Sequence, residues 1–461
     1  MENVIVTISK FVIIIIMTVY TLYGFVVFKT KSLKRQKHFY RVQKILLFTN
    51  HFICNLVLYM NTDNFKILLF YFAQLAFLTV FSILYPMIYQ KISRAILNHM
   101  MMLFSISFVM LARMSFDSAW RQFYMACAAM AIGLFIPIVI RKIKILTKLQ
   151  WFYAVVGIGL LAYVYLFGVT VYGAKNWINV AGVLIQPSEF VKILFVFFVA
   201  AGLAKVKEFK QIVIISGLAA AHVLILVLER DLGASLILFI TYIIMLYIAT
   251  GKSFYLFGGL AGGAAASVVA YYLFPHVQVR VSAWMNPWAN IDSSGYQIAQ
   301  SLFAIGTGGW FGMGIGKGLP TSIPVGKSDF IFSAISEEFG GIFAMWLMLL
   351  YVSLFVMFIT IALKIKEAFY KLVALGLSVM FIVQVFLCIG GVTKFIPSTG
   401  VTLPLVSYGG SSVLSTVIIF SIIQGLYLMK QNEEDKIGKE KRKVKRTNQK
   451  QSVPRIQEVE E

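Results

Sequence analysis

Charged side chains are scarce in this chain, and those that interrupt its apolar runs define the chemistry open to it. Glu189 and Lys192 stand three residues apart, so a helix puts them on one face within pairing distance. Glu229, Arg230 and Asp231 fall together ahead of Gly233, and Lys394 sits beside Pro397 and Pro404. Asp329 opens an apolar run, with Glu337 and Glu338 about two turns further in. Charge inside a membrane is costly, so each group needs a reason to be there. If all face one water-filled cavity open to the outside, they can bind a polar head group while apolar walls hold a lipid tail. Asp before an apolar run is also a helix-start signal, and capping and catalysis are compatible roles for Asp329.

A long segment between Phe274 and Asp329 breaks the rhythm of short connections and is expected to be functional. It carries Arg280, Trp284, Pro287 and Trp288, then Gly295-Tyr-Gln297 and a helical pattern to Ile305, then seven glycines from Gly306 to Gly318. Aromatic rings stack on sugar faces and a guanidinium pairs with phosphate oxygens, although Trp also anchors membrane interfaces. Gly326-Lys-Ser328 and Gly251-Lys-Ser253 end like nucleotide-binding loops, but Thr321 and Leu246 stand where that pattern starts with Gly. ATP chemistry is not supported. Cys54, Cys127 and Cys388 show neither a disulfide framework nor zinc-type spacing, and His222, alone in a span, reads as a packing residue before a proton relay.

The elements that position these groups follow from composition. The chain has 461 residues, 59% hydrophobic and 13% charged, with a net charge of +22, which excludes an ordinary soluble enzyme. About 13 apolar stretches are long enough to approach a membrane crossing. They begin near Val4, Ile45, Ile67, Met100, Phe123, Trp151, Phe190, Ile212, Ala234, Phe254, Phe330, Lys371 and Val413, the Met100 stretch being the most interrupted by polar residues. Alternate connections are basic: Lys29 to Lys44 carries seven cations and no acid, and the connections at Lys91, Arg141, Lys205 and Lys364 follow suit. The positive-inside rule then places the N-terminus outside, as an uncleaved signal-anchor, and the C-terminus in the cytoplasm. The basic excess therefore concerns orientation and does not indicate a nucleic-acid partner. The tail from Lys430, with its cluster from Lys436 to Arg446, is expected to be disordered beside anionic lipid.

In this context the chain resembles the SEDS proteins (shape, elongation, division, sporulation), the FtsW, RodA and SpoVE group of peptidoglycan glycosyltransferases. The resemblance rests on Gly173-Ala-Lys-Asn-Trp177, Gln186-Pro-Ser-Glu-Phe-Val-Lys192, Asp231-Leu-Gly233, Asn286-Pro-Trp288, Gly295-Tyr-Gln297 with Gln300-Ser301, the glycine run, Asp329-Phe-Ile-Phe-Ser333 with Glu337-Glu338, and Pro404-Leu-Val-Ser-Tyr-Gly-Gly-Ser-Ser412. It implies an all-α polytopic membrane protein of the bacterial cytoplasmic membrane. A SEDS-type ten-helix core over 99–429, with its large external loop at 275–329, would follow about three extra N-terminal transmembrane helices in 1–98 and precede the basic tail 430–461. The pattern departs at Lys327-Ser328, where His-Thr is usual, and at Cys388, where Asn is common.

The implied activity is polymerisation of lipid II, an undecaprenyl-pyrophosphate disaccharide-pentapeptide, at the outer face of the membrane. Asp329 would be the general base. Arg280, Lys175, Lys192 and Lys394 are the implied cations for the leaving pyrophosphate, and Trp177, Glu189 and Ser407 complete the implied substrate site. A divalent cation, Mg or Mn, is a candidate cofactor, and a class B penicillin-binding protein transpeptidase is the implied partner. A lipid II flippase and a non-catalytic scaffold for the transpeptidase are the alternative readings.

Overall fold

The computed structural model describes residues 2–171, 173–180 and 182–451. Its helices are α1 (Glu2–Lys29), α2 (Leu33–Thr62), α3 (Phe65–Ile88), α4 (Arg94–Met114), α5 (Phe116–Gly133), α6 (Ile136–Lys142), α7 (Gln150–Phe167) and α8 (Ser188–Leu203). They continue with α9 (Phe209–Leu228), α10 (Leu232–Thr250), α11 (Ser253–Leu273), α12 (Pro275–Met285), α13 (Tyr296–Gly308), α14 (Ile331–Leu363), α15 (Ala368–Val392) and α16 (Gly410–Gln451). Among the described residues, twelve helical stretches, with α5 and α6 counted as one, are long and apolar enough to cross a membrane. The sixteen-residue α8 accounts for the remaining stretch expected from the sequence. The chain is a multi-pass, almost entirely α-helical membrane protein.

The Met100 stretch, which polar residues seemed to weaken, is α4, and its entire apolar window is buried. It packs against α2, α3, α5 and α14. Its polar groups serve these contacts: His99 shares hydrogen bonds with Tyr20 (3.1 Å) and Ser353 (3.2 Å), and Ser105 with His51 (2.8 Å). Polar side chains that would be unfavourable facing lipid act here as bonds between helices.

Between α7 and α8 the chain forms a small antiparallel sheet, β1 (Val169–Val171), β2 (Ala174–Val180) and β3 (Val183–Ile185), in the order β1-β2-β3. The all-α expectation gains this one exception. β-branched Val169, Thr170, Val171, Ile178, Val180, Val183 and Ile185 favour it, in segments too short for a crossing. The basic connections lie together at the end of the bundle opposite to this sheet, because successive helices run in alternate directions. α16 continues as helix to Gln451, consistent with the richness of this stretch in Lys, Glu, Gln and Arg. The side chains of the Lys436–Arg446 cluster, and all of 452–461, lie outside the described residues.

The segment from Phe274 to Asp329 is folded. Its helix α13 docks through Ser301, whose Oγ donates to the Val392 carbonyl (2.6 Å) and accepts from Ser333 Oγ (2.6 Å). The glycine run then pairs with α14 where that helix breaks at Gly340 (φ 88°, ψ 165°). The amides of Met313 and Gly314 donate to the carbonyls of Glu337 and Glu338, each at 2.9 Å, and the Gly341 amide donates to the Gly309 carbonyl (2.8 Å). A Cβ on Gly312 would lie 2.3 Å from the Glu338 carbonyl oxygen, and one on Gly340 would lie 2.3 Å from the Gly312 nitrogen. Only glycine allows the two backbones to approach this closely.

The acids expected to face a common cavity instead brace this loop. Glu337 Oε1 accepts from the Leu319 amide (2.9 Å), and Glu338 Oε1 accepts from the Gly316 amide (3.2 Å) and from Arg113 Nε (2.9 Å). A further hydrogen bond runs from the Arg113 guanidinium to the Gly318 carbonyl (3.0 Å). Gly312→Ala is expected to destabilise the protein by more than about 1 kcal/mol, through both its positive φ and its clash. The denaturation midpoint of the detergent-purified chain measures this, and an unchanged midpoint would contradict the backbone pairing.

Candidate functional site

The C-terminal ends of α4, α7, α9 and α15 and the N-terminal ends of α5, α8, α10, α14 and α16 all lie at the loop-bearing end of the bundle. There they surround a cavity of about 1000 Å3. A second cavity of about 430 Å3 adjoins it between α12, the start of α13 and the Pro324–Asp329 turn. The two share Arg280, Pro324, Val325, Asp329 and Gly400 in their walls. Asp329 and Arg280 thus stand on the partition between two compartments.

Asp329 lies one residue before the N-cap Phe330 of α14, so the capping role is not taken up. Its turn is held from both sides. Ser407 Oγ donates to the Ser328 carbonyl (2.5 Å), the Tyr408 amide donates to the Lys327 carbonyl (2.8 Å), and Cys388 Sγ lies 3.6 Å from the Asp329 carbonyl oxygen. Burial pushes the Asp329 carboxyl up to about 6. Arg280 and the Ser328 hydroxyl oppose that rise, and the negative charge of Asp231 adds to it. Arg280, on α12, is tethered by a hydrogen bond to the Ser398 carbonyl (3.2 Å). Burial lowers its pKa, while Asp231 and Asp329 favour its charged form. Both side chains face Gly400: a Cβ there would lie 3.5 Å from Asp329 Oδ2 and 4.0 Å from each terminal nitrogen of Arg280. The ion pairs within 4.0 Å among the described residues, which join Lys91 to Asp435, Arg113 to Glu338 and Lys192 to Glu189, do not include this couple.

Asp231 is the second acid of the larger cavity and is held rigidly. Its Oδ2 accepts from Asn176 Nδ2 (2.9 Å), Gln186 Nε2 (3.2 Å) and Ser188 Oγ (3.2 Å), while Oδ1 caps α10 by accepting from the Ala234 amide (3.0 Å). Neighbouring Glu229 is fully buried with both carboxylate oxygens unpartnered, and burial, with Asp231 adding, pushes its carboxyl up to about 8. Among the described residues no group of three His, Cys, Asp or Glu side chains could hold a metal ion. With Asp231 already engaged by four donors, this donor set does not form a resident divalent-metal site.

Of the residues singled out from sequence, Asp329, Arg280 and Trp177 line the larger cavity. Lys175 does not: its Nζ donates to the Leu166 carbonyl (3.1 Å), while its neighbours Ala174, Asn176 and Trp177 line the wall. Glu189 and Lys192 form a buried pair at 2.9 Å outside the lining. Lys192 also donates to Gln384 (2.9 Å), and Glu189 accepts from Ser415 (2.7 Å). Lys394 has a positive φ of 58° and contributes its carbonyl to the Trp284 indole N–H (3.1 Å), away from the lining. Ser407 is buried under the Asp329 turn and acts on its backbone. His222 packs on Phe198, with Nδ1 2.8 Å from the Leu218 carbonyl oxygen.

Arg230, singled out with Glu229 and Asp231, lines the larger cavity, together with two cations that the spacing did not point to, Arg121 and Lys327. Arg230 adjoins the Asp231 motif, Lys327 is the departure noted before Asp329, and Arg121 shares a helix face with Met125, which also lines the wall.

The fold and site define a polytopic membrane protein whose loop-bearing end holds a cation-lined cavity with a carboxylate of raised pKa. Residues 86–432 match the FtsW/RodA/SpoVE family, described as cell cycle proteins, and the chain belongs to that family. It is 41% identical over 267 residues to the peptidoglycan glycosyltransferase RodA of Mycobacterium bovis, covering 54% of this chain and 57% of that relative. The chain thus spans little more than half the length of this relative. Its fold is similar to that of the rod shape determining protein RodA of Thermus thermophilus, with a TM-score of 0.53 and 22% identity over 74% of this chain and 97% of the other. A chain from a structure described as the coordination of polymerization and crosslinking by a peptidoglycan synthase complex matches with a TM-score of 0.63 and 23% identity, over 74% and 98%.

Removing one partner of the Glu189–Lys192 pair is expected to cost about 3–5 kcal/mol, whereas replacing both with apolar residues recovers most of it. Thermal unfolding of Lys192→Met, Glu189→Leu and the double variant tests this. A stable Lys192→Met protein that fails to bind a pyrophosphate-bearing lipid would instead assign Lys192 to the substrate.

Proposed function

We propose that this protein polymerises peptidoglycan glycan strands from lipid II at the outer face of the bacterial cytoplasmic membrane, with Asp329 as general base. The observation that carries this reading is the position of Asp329 and Arg280 on the wall between a cation-lined cavity and a smaller one that holds Ser293, Ser294, Tyr296 and Gln297. Arg121, Arg230, Arg280 and Lys327 suit a pyrophosphate, and Ser293, Ser294, Tyr296 and Gln297 suit a sugar. In the reaction the 4-hydroxyl of the acceptor attacks the anomeric carbon of the donor. A carbon–oxygen bond forms there as the bond to pyrophosphate breaks, with inversion if the displacement occurs in one step. The hydroxyl proton passes to the Asp329 carboxylate, and the bonding electrons leave with the pyrophosphate toward the cations. One catalytic carboxylate suffices.

The basic connections support an orientation with the cavity and N-terminus outside and the C-terminus in the cytoplasm. The organisation that goes with it is three N-terminal helices within 1–98, a SEDS core over 99–429 and a cytoplasmic tail from 430. The match to a chain of a complex that couples polymerization to crosslinking supports a transpeptidase partner of the class B penicillin-binding type.

Asp329→Asn is expected to insert normally and to form no glycan polymer from lipid II in reconstituted vesicles; polymer at the parent rate would remove the general-base role. Because the base acts as carboxylate and its pKa lies at about 6, the rate should rise through pH 6 to a plateau. At pH 5 it should be about tenfold below that plateau. A profile flat from pH 5 to 8 would contradict the role. Any Mg or Mn that takes part is proposed to arrive with the pyrophosphate, so chelator should lower activity without changing the unfolding midpoint of the apo protein. A chelator-induced drop in that midpoint would point to a resident metal.

A further inference from the structure

The helices α1 and α2 lie ahead of the family-matched region, yet their loop-side ends reach the glycine run. Asn61 Nδ2, in the last turn of α2, donates to the Ile315 carbonyl (2.5 Å). Lys10 Nζ, on α1, donates to the Gly312 carbonyl (3.2 Å), and Phe11 packs on Phe311 with ring centroids 5.4 Å apart. A Cβ at Gly316 would lie 2.9 Å from Asn61 Nδ2, so the loop backbone rests directly against this side chain. These three contacts join the N-terminal helices to the run that Glu337, Glu338 and Arg113 brace from the other side. After Leu319 the same strand of chain continues into Ile323–Asp329, the wall of both cavities.

The N-terminal helices are anchored well enough to act as a fixed support. Tyr20 of α1 meets His99 of α4, and His99 meets Ser353 of α14, all three fully buried. On the neighbouring helix, His51 of α2 is bonded to Ser105 of α4. Hydrogen bonds of this kind between packed helices fix register in an apolar surrounding, where helix packing gains little from the hydrophobic effect. The loop ends of α1 and α2 therefore move with the core, and their contacts limit the freedom of the glycine run.

We infer that α1 and α2 form a built-in clamp, with Asn61 and Lys10 as positioning residues that hold the glycine run and through it the Asp329 turn. The inference deepens the polymerase reading and rests on it for its kinetic consequence. The clamp itself is a statement about the loop and can be tested separately. Arg121, Arg230 and Arg280 lie on other elements, so loosening the clamp displaces the base while leaving most of the cation cradle in place.

The test compares hydrogen exchange of the full-length chain in lipid nanodiscs with that of Asn61→Ala and, separately, Lys10→Met. Asn61 lies at a helix end and is only partly buried, so its variant should remain folded. Amides of residues 313–328 are expected to exchange about fivefold faster in either variant, the size expected from one hydrogen bond, with α15 and α16 unchanged. In the lipid II polymerisation assay, kcat should fall by a similar factor with KM for lipid II little changed. Unaltered exchange in both variants would overturn the clamp, and faster exchange with unchanged kcat would overturn its positioning role. If the parent chain makes no polymer, the polymerase reading falls, and the exchange measurement alone decides whether the clamp exists.

Discussion

A helix that breaks inside an apolar bundle frees backbone groups that neither lipid nor water can satisfy, and most of this structure's functional end follows from how one such break is resolved. At Gly340 the helix α14 opens, and the glycine run supplies the missing amides and carbonyls. Close approach of two backbones requires small residues on both sides, hence Gly312 against Gly340. Once the run is fixed there, Glu337 and Glu338 gain partners on it, and the chain leaving it is directed into the turn that carries Asp329. The Asp329 carboxylate is thereby held by covalent continuity with a segment that is bonded to α14 along its backbone.

The electrostatics of the site follow from that placement. Asp329 is removed from water enough for its carboxyl to titrate near 6, but Arg280 across Gly400 keeps it from rising further. Asp231 also favours the charged form of Arg280, and its four donors hold it in place. An anionic ligand in the larger cavity would meet the cations, while a hydroxyl in the smaller one could approach Asp329.

Much of this was legible in the residues. The apolar stretches gave the helices, and the alternation of basic connections gave their relative directions, since both depend on local composition. Asp329 and Arg280 were identifiable because charge at the edge of apolar sequence is rare and demands a partner. Lys175 and Asn176 show what was not legible: the short strand that carries them went unrecognised in a helical protein, so that one bonds to the Leu166 carbonyl and the other lines the cavity was not readable from spacing. The polar residues of α4 misled for a related reason. Hydropathy measures a helix against lipid, whereas α4 is surrounded by protein, a property set by helices distant in sequence. Glu337 and Glu338 looked like cavity acids because nothing local reveals that a glycine run 20 to 30 residues earlier folds back onto them.

The central claim, that Asp329 and Arg280 act from one partition on two bound substrates, is tested most directly by a structure of the protein with a non-reacting lipid II analogue. The account requires the pyrophosphate in the larger cavity, against Arg280 and its neighbouring cations. It also requires a sugar hydroxyl in the smaller cavity within about 2.6–3.2 Å of the Asp329 carboxylate. An analogue bound with its head group away from both residues, for instance on the lipid-facing side of α11, would contradict it.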